Sequence, residues 1–313
     1  MSFGDFVTQW LPEVERELDA LLPAEGEPPS ELHAAMRYAM FPGGKRLRPM
    51  LALLGATAMH ADPRRALRAA AGLECLHTYS LVHDDLPCMD DDELRRGRPT
   101  AHVEFGEATA LLAGDALLTL AFEAAAHGGG DAVRELAIAA GSRGMVGGQV
   151  EDLAAEGENE AKAGRHTIER LTWIHDHKTG ALIAGSLLVG AYAGTVGEPV
   201  AVPPAVLALL REYGDRLGRA FQIADDCLDI TGSAAELGKN PLADLAAAKL
   251  TWPALVGLEA SQRVARELAA EAGELAARLG QGVADWRGQP RSALDAAVAL
   301  LQDCATFSVE RRR

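Results

Sequence analysis

Apolar residues recur at spacings of three and four through Met50–Met59, Arg64–His83, Glu107–Ala126 and Leu207–Ile230. That period fits one face of an α-helix and no strand. Strict apolar/polar alternation is hard to find anywhere, aromatic residues make up only 5% of the chain, and alanine and leucine, both strong helix formers, are abundant. Breaker-rich stretches at 23–29, 41–49, 127–131, 198–204 and 280–290 divide the helical blocks. None has the length or polarity of a flexible linker, so residues 1–313 read as a single all-α domain. The alanine-rich "ELAAEAGELAARLG" reads as a surface helix, and the polar, glycine-interrupted 154–166 as a connection.

Thr179–Gly197 carries no formal charge over its 19 residues, which is long enough to span a membrane. Its five glycines and few large aliphatic residues make its transfer energy poor, so it reads as a buried, closely packed helix. No stable membrane association follows. A formal net charge of −15 opposes nonspecific binding to nucleic acid or an anionic membrane surface. Cys75, Cys88, Cys227 and Cys304 lack metal-ligand spacing and read as reduced thiols. With no secretory signal at the start, a cytoplasmic location is the expectation.

Against that background, "LVHDDLPCMDDDELRRGRP" places six carboxylates between Asp84 and Glu93 and follows them with Arg95, Arg96 and Arg98. Pro87 removes a backbone donor and clashes with the preceding turn, so the helix carrying Asp84 and Asp85 ends or kinks near Asp85. Asp90, Asp91 and Asp92 then come from the bent segment beyond it. Carboxylates this close need a cation between them or shift their pKa values upward. Hard oxygen ligands favour Mg²⁺, which completes its shell with water and substrate phosphate.

A second acidic group, "FQIADDCLDITG", supplies Asp225, Asp226 and Asp229 from a largely apolar helix. Asp225 and Asp229, four residues apart, share a helix face, and Asp226 lies about 100° round from Asp225. One acidic cluster alone is as readily a solvated face; two on apolar helices with basic residues nearby point to metal and diphosphate chemistry. "GGKRLRP" sets Lys45, Arg46 and Arg48 behind two glycines, an arrangement for gripping a polyanion. His77 lies seven residues before Asp84, two turns along the same face. In "HDHK" the histidines are two apart and share no helix face, which discounts zinc.

These segments, with "GGQVEDL", "HKTGALI", "LGKN" and "KLTWPALVGLE", occur in an order and spacing that resemble the trans-isoprenyl diphosphate synthases of the bacterial farnesyl and geranylgeranyl type, from about Met36 to Leu258. The resemblance implies an orthogonal helix bundle around a central cavity, assembled as a homodimer. It implies three Mg²⁺ ions bridging Asp84, Asp85, Asp90, Asp225, Asp226 and Asp229 to the diphosphate of an allylic substrate. Arg95, Lys178, Thr179, Gln222, Lys239 and Lys249 match positions around that diphosphate, and Lys45, Arg48, His77 and Arg96 match a pocket for isopentenyl diphosphate. Among these, Asp84, Asp85, Asp225, Lys178, Thr179 and Gln222 are the candidate catalytic residues. "GGQVEDL" reads as a polar elbow without an assigned catalytic role.

In such enzymes the side chains four and five positions before the first aspartate form a floor beneath the growing chain. Here they are Ser80 and Tyr79, the latter about 7.5 Å deeper along the helix axis. A bulky floor predicts the fifteen-carbon farnesyl product. The alternatives are a geranylgeranyl diphosphate synthase of the same family and, from another class, a terpene cyclase, which would have no use for an isopentenyl site.

Overall fold

The computed structural model describes residues 1–155, 167–231 and 250–310. Apart from one two-residue hairpin, the regular structure among them is helical, as the periodicity predicts. The helices are α1 (Phe3–Leu21), α2 (Ser30–Met40), α3 (Leu47–Ala58), α4 (Leu67–Asp84), α5 (Ala101–Phe105), α6 (Glu107–Ala125), α7 (Gly130–Ala140) and α8 (Met145–Ala155). After them come α9 (Ile168–Ile174), α10 (Ala181–Thr195), α11 (Pro204–Thr231), α12 (Trp252–Val256), α13 (Leu258–Arg287) and α14 (Asp295–Glu310). Strands β1 (Leu94–Arg95) and β2 (Arg98–Pro99) pair antiparallel between α4 and α5. Arg96 (φ 53°) and Gly97 (φ 76°) make the tight turn joining them, the left-handed pair that such a hairpin requires.

Most of the core is one apolar cluster drawing on α1 through α4, α6, α7, α8, α10, α11, α13 and α14, with smaller clusters around Trp252 and around Val82. At its centre α3 and α10 pack almost backbone to backbone. A Cβ on Gly55 would overlap the carbonyl of Leu187, and a Cβ on Gly190 would overlap that of Ala52. Twelve of the fifteen residues of α10 are buried, so the uncharged stretch around it is the close-packed core helix that its glycines predict. The segment Glu107–Gly128 is long and apolar enough to cross a bilayer by composition; here it packs against α4 and α2 through Ala110, Ala113, Gly114, Leu117 and Ala121.

Two expectations need correction. The alanine-rich 267–280 segment lies within the 30-residue α13, which packs along α11 and buries Leu268, Ala272, Leu275, Ala276 and Leu279. Alanine suits close helix contact as well as exposure, so composition alone misassigns it. The stretch 280–290 is not a break throughout: α13 continues to Arg287 and ends at left-handed Gly288.

A third concerns Arg46, which does not grip a polyanion. Held in the left-handed region (φ 47°) just before α3, it is 2% exposed. Its guanidinium donates to Glu15 of α1 (2.7 Å), to Glu74 of α4 (3.0 Å) and to the Met40 carbonyl of α2 (2.9 Å). Arg46→Ala would strand a buried carboxylate at Glu74. Its expected cost is about 3–5 kcal/mol, read as a fall in the denaturant midpoint.

Candidate active site

Helix α4 ends where Pro87 demands it, with Asp84 as its last residue and Asp85 as its cap. The chain then folds back so that the Asp90 N–H donates to the Asp84 carbonyl at 2.9 Å, which sets Asp90 beside Asp84. Asp85 is buried; the single Arg95 Nε–H is shared between its two oxygens at 2.8 Å each, and Arg95 Nη2 donates to Oδ1 at 2.5 Å. The hairpin thus presents Arg95 to the first acidic group and Arg96 to the other side. The Arg96 guanidinium donates to the Gly43 carbonyl, and a Cβ on Gly44 would meet it at 2.8 Å.

The segment between α9 and α10 lines the cavity that Asp84 enters, and α11 packs behind that segment, its Asp225, Asp226 and Asp229 lying outside the lining of that cavity. His175–Gly180 forms a π-helical turn, a bulge frequent at functional sites. Lys178 and Thr179 sit on it and line the same cavity as Asp84. Lys178 pairs with Asp152 of α8. Thr179 Oγ1 donates to Gln222 Oε1 (2.9 Å), and Gln222 Nε2 donates to Asp226 Oδ1 (3.1 Å). Small residues permit these approaches: a Cβ on Gly148 would overlap the Lys178 backbone, and one on Gly218 would come within 2.7 Å of Gly180 Cα.

On α11, Asp225 is half-buried and Asp229 exposed. Asp226 is 6% exposed, and its second oxygen accepts the Trp252 N–H at 3.0 Å. Both of its oxygens serve packing, as the 100° offset from Asp225 would place them, so it anchors Gln222 and the start of α12. Lys239 and Lys249 lie outside the described residues.

Arg48, His77, Tyr79, Ser80, Asp84, Gln149, Lys178 and Thr179 share one cavity of about 460 Å³. Three of them turn buried polar atoms without a protein partner: Arg48 Nε, His77 Nδ1 and both amide atoms of Gln149. Orphaned buried groups of this kind call for a polar ligand or water. Burial, with Arg48, Arg96, Arg95 and Arg46 adding to it, pushes the His77 pKa well down, so the ring is neutral beside those cations. Burial also lowers Arg48, to about 10, which leaves it charged at neutral pH. Lys45 is exposed and lines a separate cavity with Gly44, Leu47 and Phe221. The polar elbow at "GGQVEDL" is helical, and it turns Gln149 to the cavity and Asp152 to Lys178. That ion pair joins residues 26 apart and leaves no local sequence signal.

Burial raises Asp84 to about 6, with Asp90 and Asp85 adding to the rise and Lys178 and Arg95 opposing it. Burial likewise raises Asp226 to about 7. A carboxyl group whose folded pKa exceeds its ordinary 3.8 contributes stability that is complete below that value and lost as pH rises through the folded one. The melting temperature of the ligand-free protein is therefore expected to fall between pH 4 and 7. Asp84→Asn should flatten that profile; an unchanged slope in thermal melts would remove Asp84 as its source.

Among the described residues, no group of three or more His, Cys, Asp or Glu side chains closes a metal site by itself. Mg²⁺ does not require one, because it takes one or two carboxylates and completes its octahedron with water and phosphate oxygens. Asp84, Asp90, Asp225 and Asp229 are hard oxygen donors of that kind.

The polyprenyl synthetase family model matches residues 29–281. The chain is 43% identical over 282 residues to geranylgeranyl pyrophosphate synthase 11, chloroplastic, of Arabidopsis thaliana, covering 87% of this chain and 76% of that protein. The crystal structure of an FPP/GFPP synthase from Zymomonas mobilis superposes with a TM-score of 0.78 at 34% identity, over 98% of each chain. Geranyltransferase from Helicobacter pylori, complexed with magnesium and isoprenyl diphosphate, superposes at 0.75 and 32% identity, over 97% of this chain and 96% of that one.

Proposed function

The chain belongs to the polyprenyl synthetase family, and on that premise we propose that it joins isopentenyl diphosphate head to tail to dimethylallyl and geranyl diphosphates, ending at farnesyl diphosphate. The observation that carries this reading is the single cavity in which Asp84, Lys178 and Thr179 meet Arg48 and His77, with Tyr79 deeper along α4.

The allylic carbon–oxygen bond breaks with its electron pair leaving on the diphosphate. Lys178 and Arg95 stand where that negative charge grows, and preorganised cations there lower the barrier. Asp84, Asp85, Asp90, Asp225, Asp226 and Asp229 would hold Mg²⁺, three ions by resemblance, Asp85 being also bonded to Arg95 and Asp226 to Gln222 and the Trp252 N–H. When bound with the diphosphate, the metal supplies Lewis-acid neutralisation of the leaving group. Thr179, held by its hydrogen bond to Gln222, turns its hydroxyl oxygen toward the allylic cation, and the apolar walls exclude water. Lys45, Arg48, His77 and Arg96 hold isopentenyl diphosphate with its double bond toward the cation. The new carbon–carbon bond forms at the allylic carbon, and a proton leaves the adduct for the released diphosphate. No protein nucleophile is required.

Exposed Leu111 and Leu112 on α6 and Val146 and Val150 on α8 support a homodimer through this side of the molecule. A twenty-carbon product is the second reading, favoured by the name of the Arabidopsis relative. Incubation with dimethylallyl and labelled isopentenyl diphosphates, with and without magnesium, separates them. Labelled fifteen-carbon alcohol after dephosphorylation is the expected result. A twenty-carbon main product would favour the second reading, and allylic turnover without label would indicate a cyclase.

A further inference from the structure

The floor residue Tyr79 does not stand alone. One turn on, His83 meets the Tyr79 ring edge to face, with centroids 5.6 Å apart and planes at 87°. Both rings line the cavity. His83 Nε2 lies 3.0 Å from the Leu111 carbonyl of α6. A carbonyl only accepts, so Nε2 carries the proton. The same nitrogen is 3.9 Å from Asp115 Oδ1. Beneath the ring is Gly114, where a Cβ would overlap the imidazole. The ring is thus seated on a glycine, pinned to a neighbouring helix and set against the tyrosine.

We propose that His83, seated on Gly114, is a positioning residue for product length: it braces the ring of Tyr79 one turn back on α4 and so decides where chain growth stops. The inference rests on the reading of Tyr79 as the floor. A growing prenyl chain presses on whatever closes the cavity, and a tyrosine ring yields by rotating about its first side-chain torsion unless a neighbour blocks the swing. His83 stands edge to face against that ring, and its hydrogen bond to Leu111 and its close packing on Gly114 hold it to α6. Removing the imidazole leaves Tyr79 in place but unbraced.

The test is product analysis of His83→Ala, Tyr79→Ala and the double variant in the full chain, with dimethylallyl and isopentenyl diphosphates. His83→Gln, which keeps an N–H donor and loses the ring, serves if the alanine variant fails to fold. The expected result for His83→Ala or His83→Gln is at least a tenfold rise in the ratio of products one unit longer to the wild-type product. The double variant should give the same distribution as Tyr79→Ala, since a brace has no effect once the floor is gone. A purely structural role would lower total turnover without changing that ratio. If Tyr79→Ala lengthens the product and neither His83 variant does, the brace is wrong while the floor stands; if the double variant exceeds Tyr79→Ala, His83 acts on the chain directly and the brace is again wrong. If Tyr79→Ala leaves the product unchanged, the floor itself is wrong and the brace falls with it.

Discussion

Asp84→Ala and Asp225→Ala are each expected to reduce turnover about a hundred- to a thousandfold, the scale seen when one preorganised stabiliser of transition-state charge is removed, while the protein stays folded. Asp84 is held against the cost of burial, which raises its pKa to about 6, so deleting its charge relieves desolvation. Asp225 sits half-buried beside an anchored Asp226, and its loss leaves the bonds to Gln222 and Trp252 intact. Circular dichroism checks the fold and steady-state assays with saturating magnesium check the rate. Near-normal turnover in either variant would remove that carboxylate from the chemistry.

Tyr79→Ala is expected to lengthen the main product by at least one five-carbon unit. The ring is 7% exposed and lines the cavity along α4 beyond Ser80 and Asp84. Truncating a large aromatic side chain in a packed setting costs about 3–5 kcal/mol. Tyr79→Met is therefore the companion variant, because a thin, flexible side chain opens depth with less loss of packing. Chromatography of the dephosphorylated products reads the outcome, and an unchanged product from both variants would reject Tyr79 as the floor.

Much of this site was legible because helical period and proline are strong signals. Pro87 announced the end of α4, and the seven-residue spacing of His77 and Asp84 placed those two along one face, while Tyr79 entered through the resemblance. Residue type and spacing did not separate Arg46 from Arg48, although the resemblance matched only Arg48 to a pocket, since the inward turn of left-handed Arg46 to Glu15 and Glu74 depends on tertiary packing. The π-helical turn under Lys178 and Thr179 has no residue signature, and the Lys178 to Asp152 pair forms across two helices. The 100° offset of Asp226 was readable; that it meets the Trp252 N–H depends on tertiary packing. Alanine-rich α13 misled because alanine serves a close interface as well as a surface.

The most direct test uses the fact that an allylic diphosphate alone lacks the partner it needs for chain growth and can be followed as a ligand. Titrating geranyl diphosphate into the protein by calorimetry, with magnesium present and then chelated, measures whether both carboxylate groups grip one pyrophosphate. The expected result is binding that requires magnesium and weakens at least tenfold in both Asp84→Ala and Asp225→Ala. Wild-type affinity in either variant, or equal affinity without the metal, would contradict the shared grip.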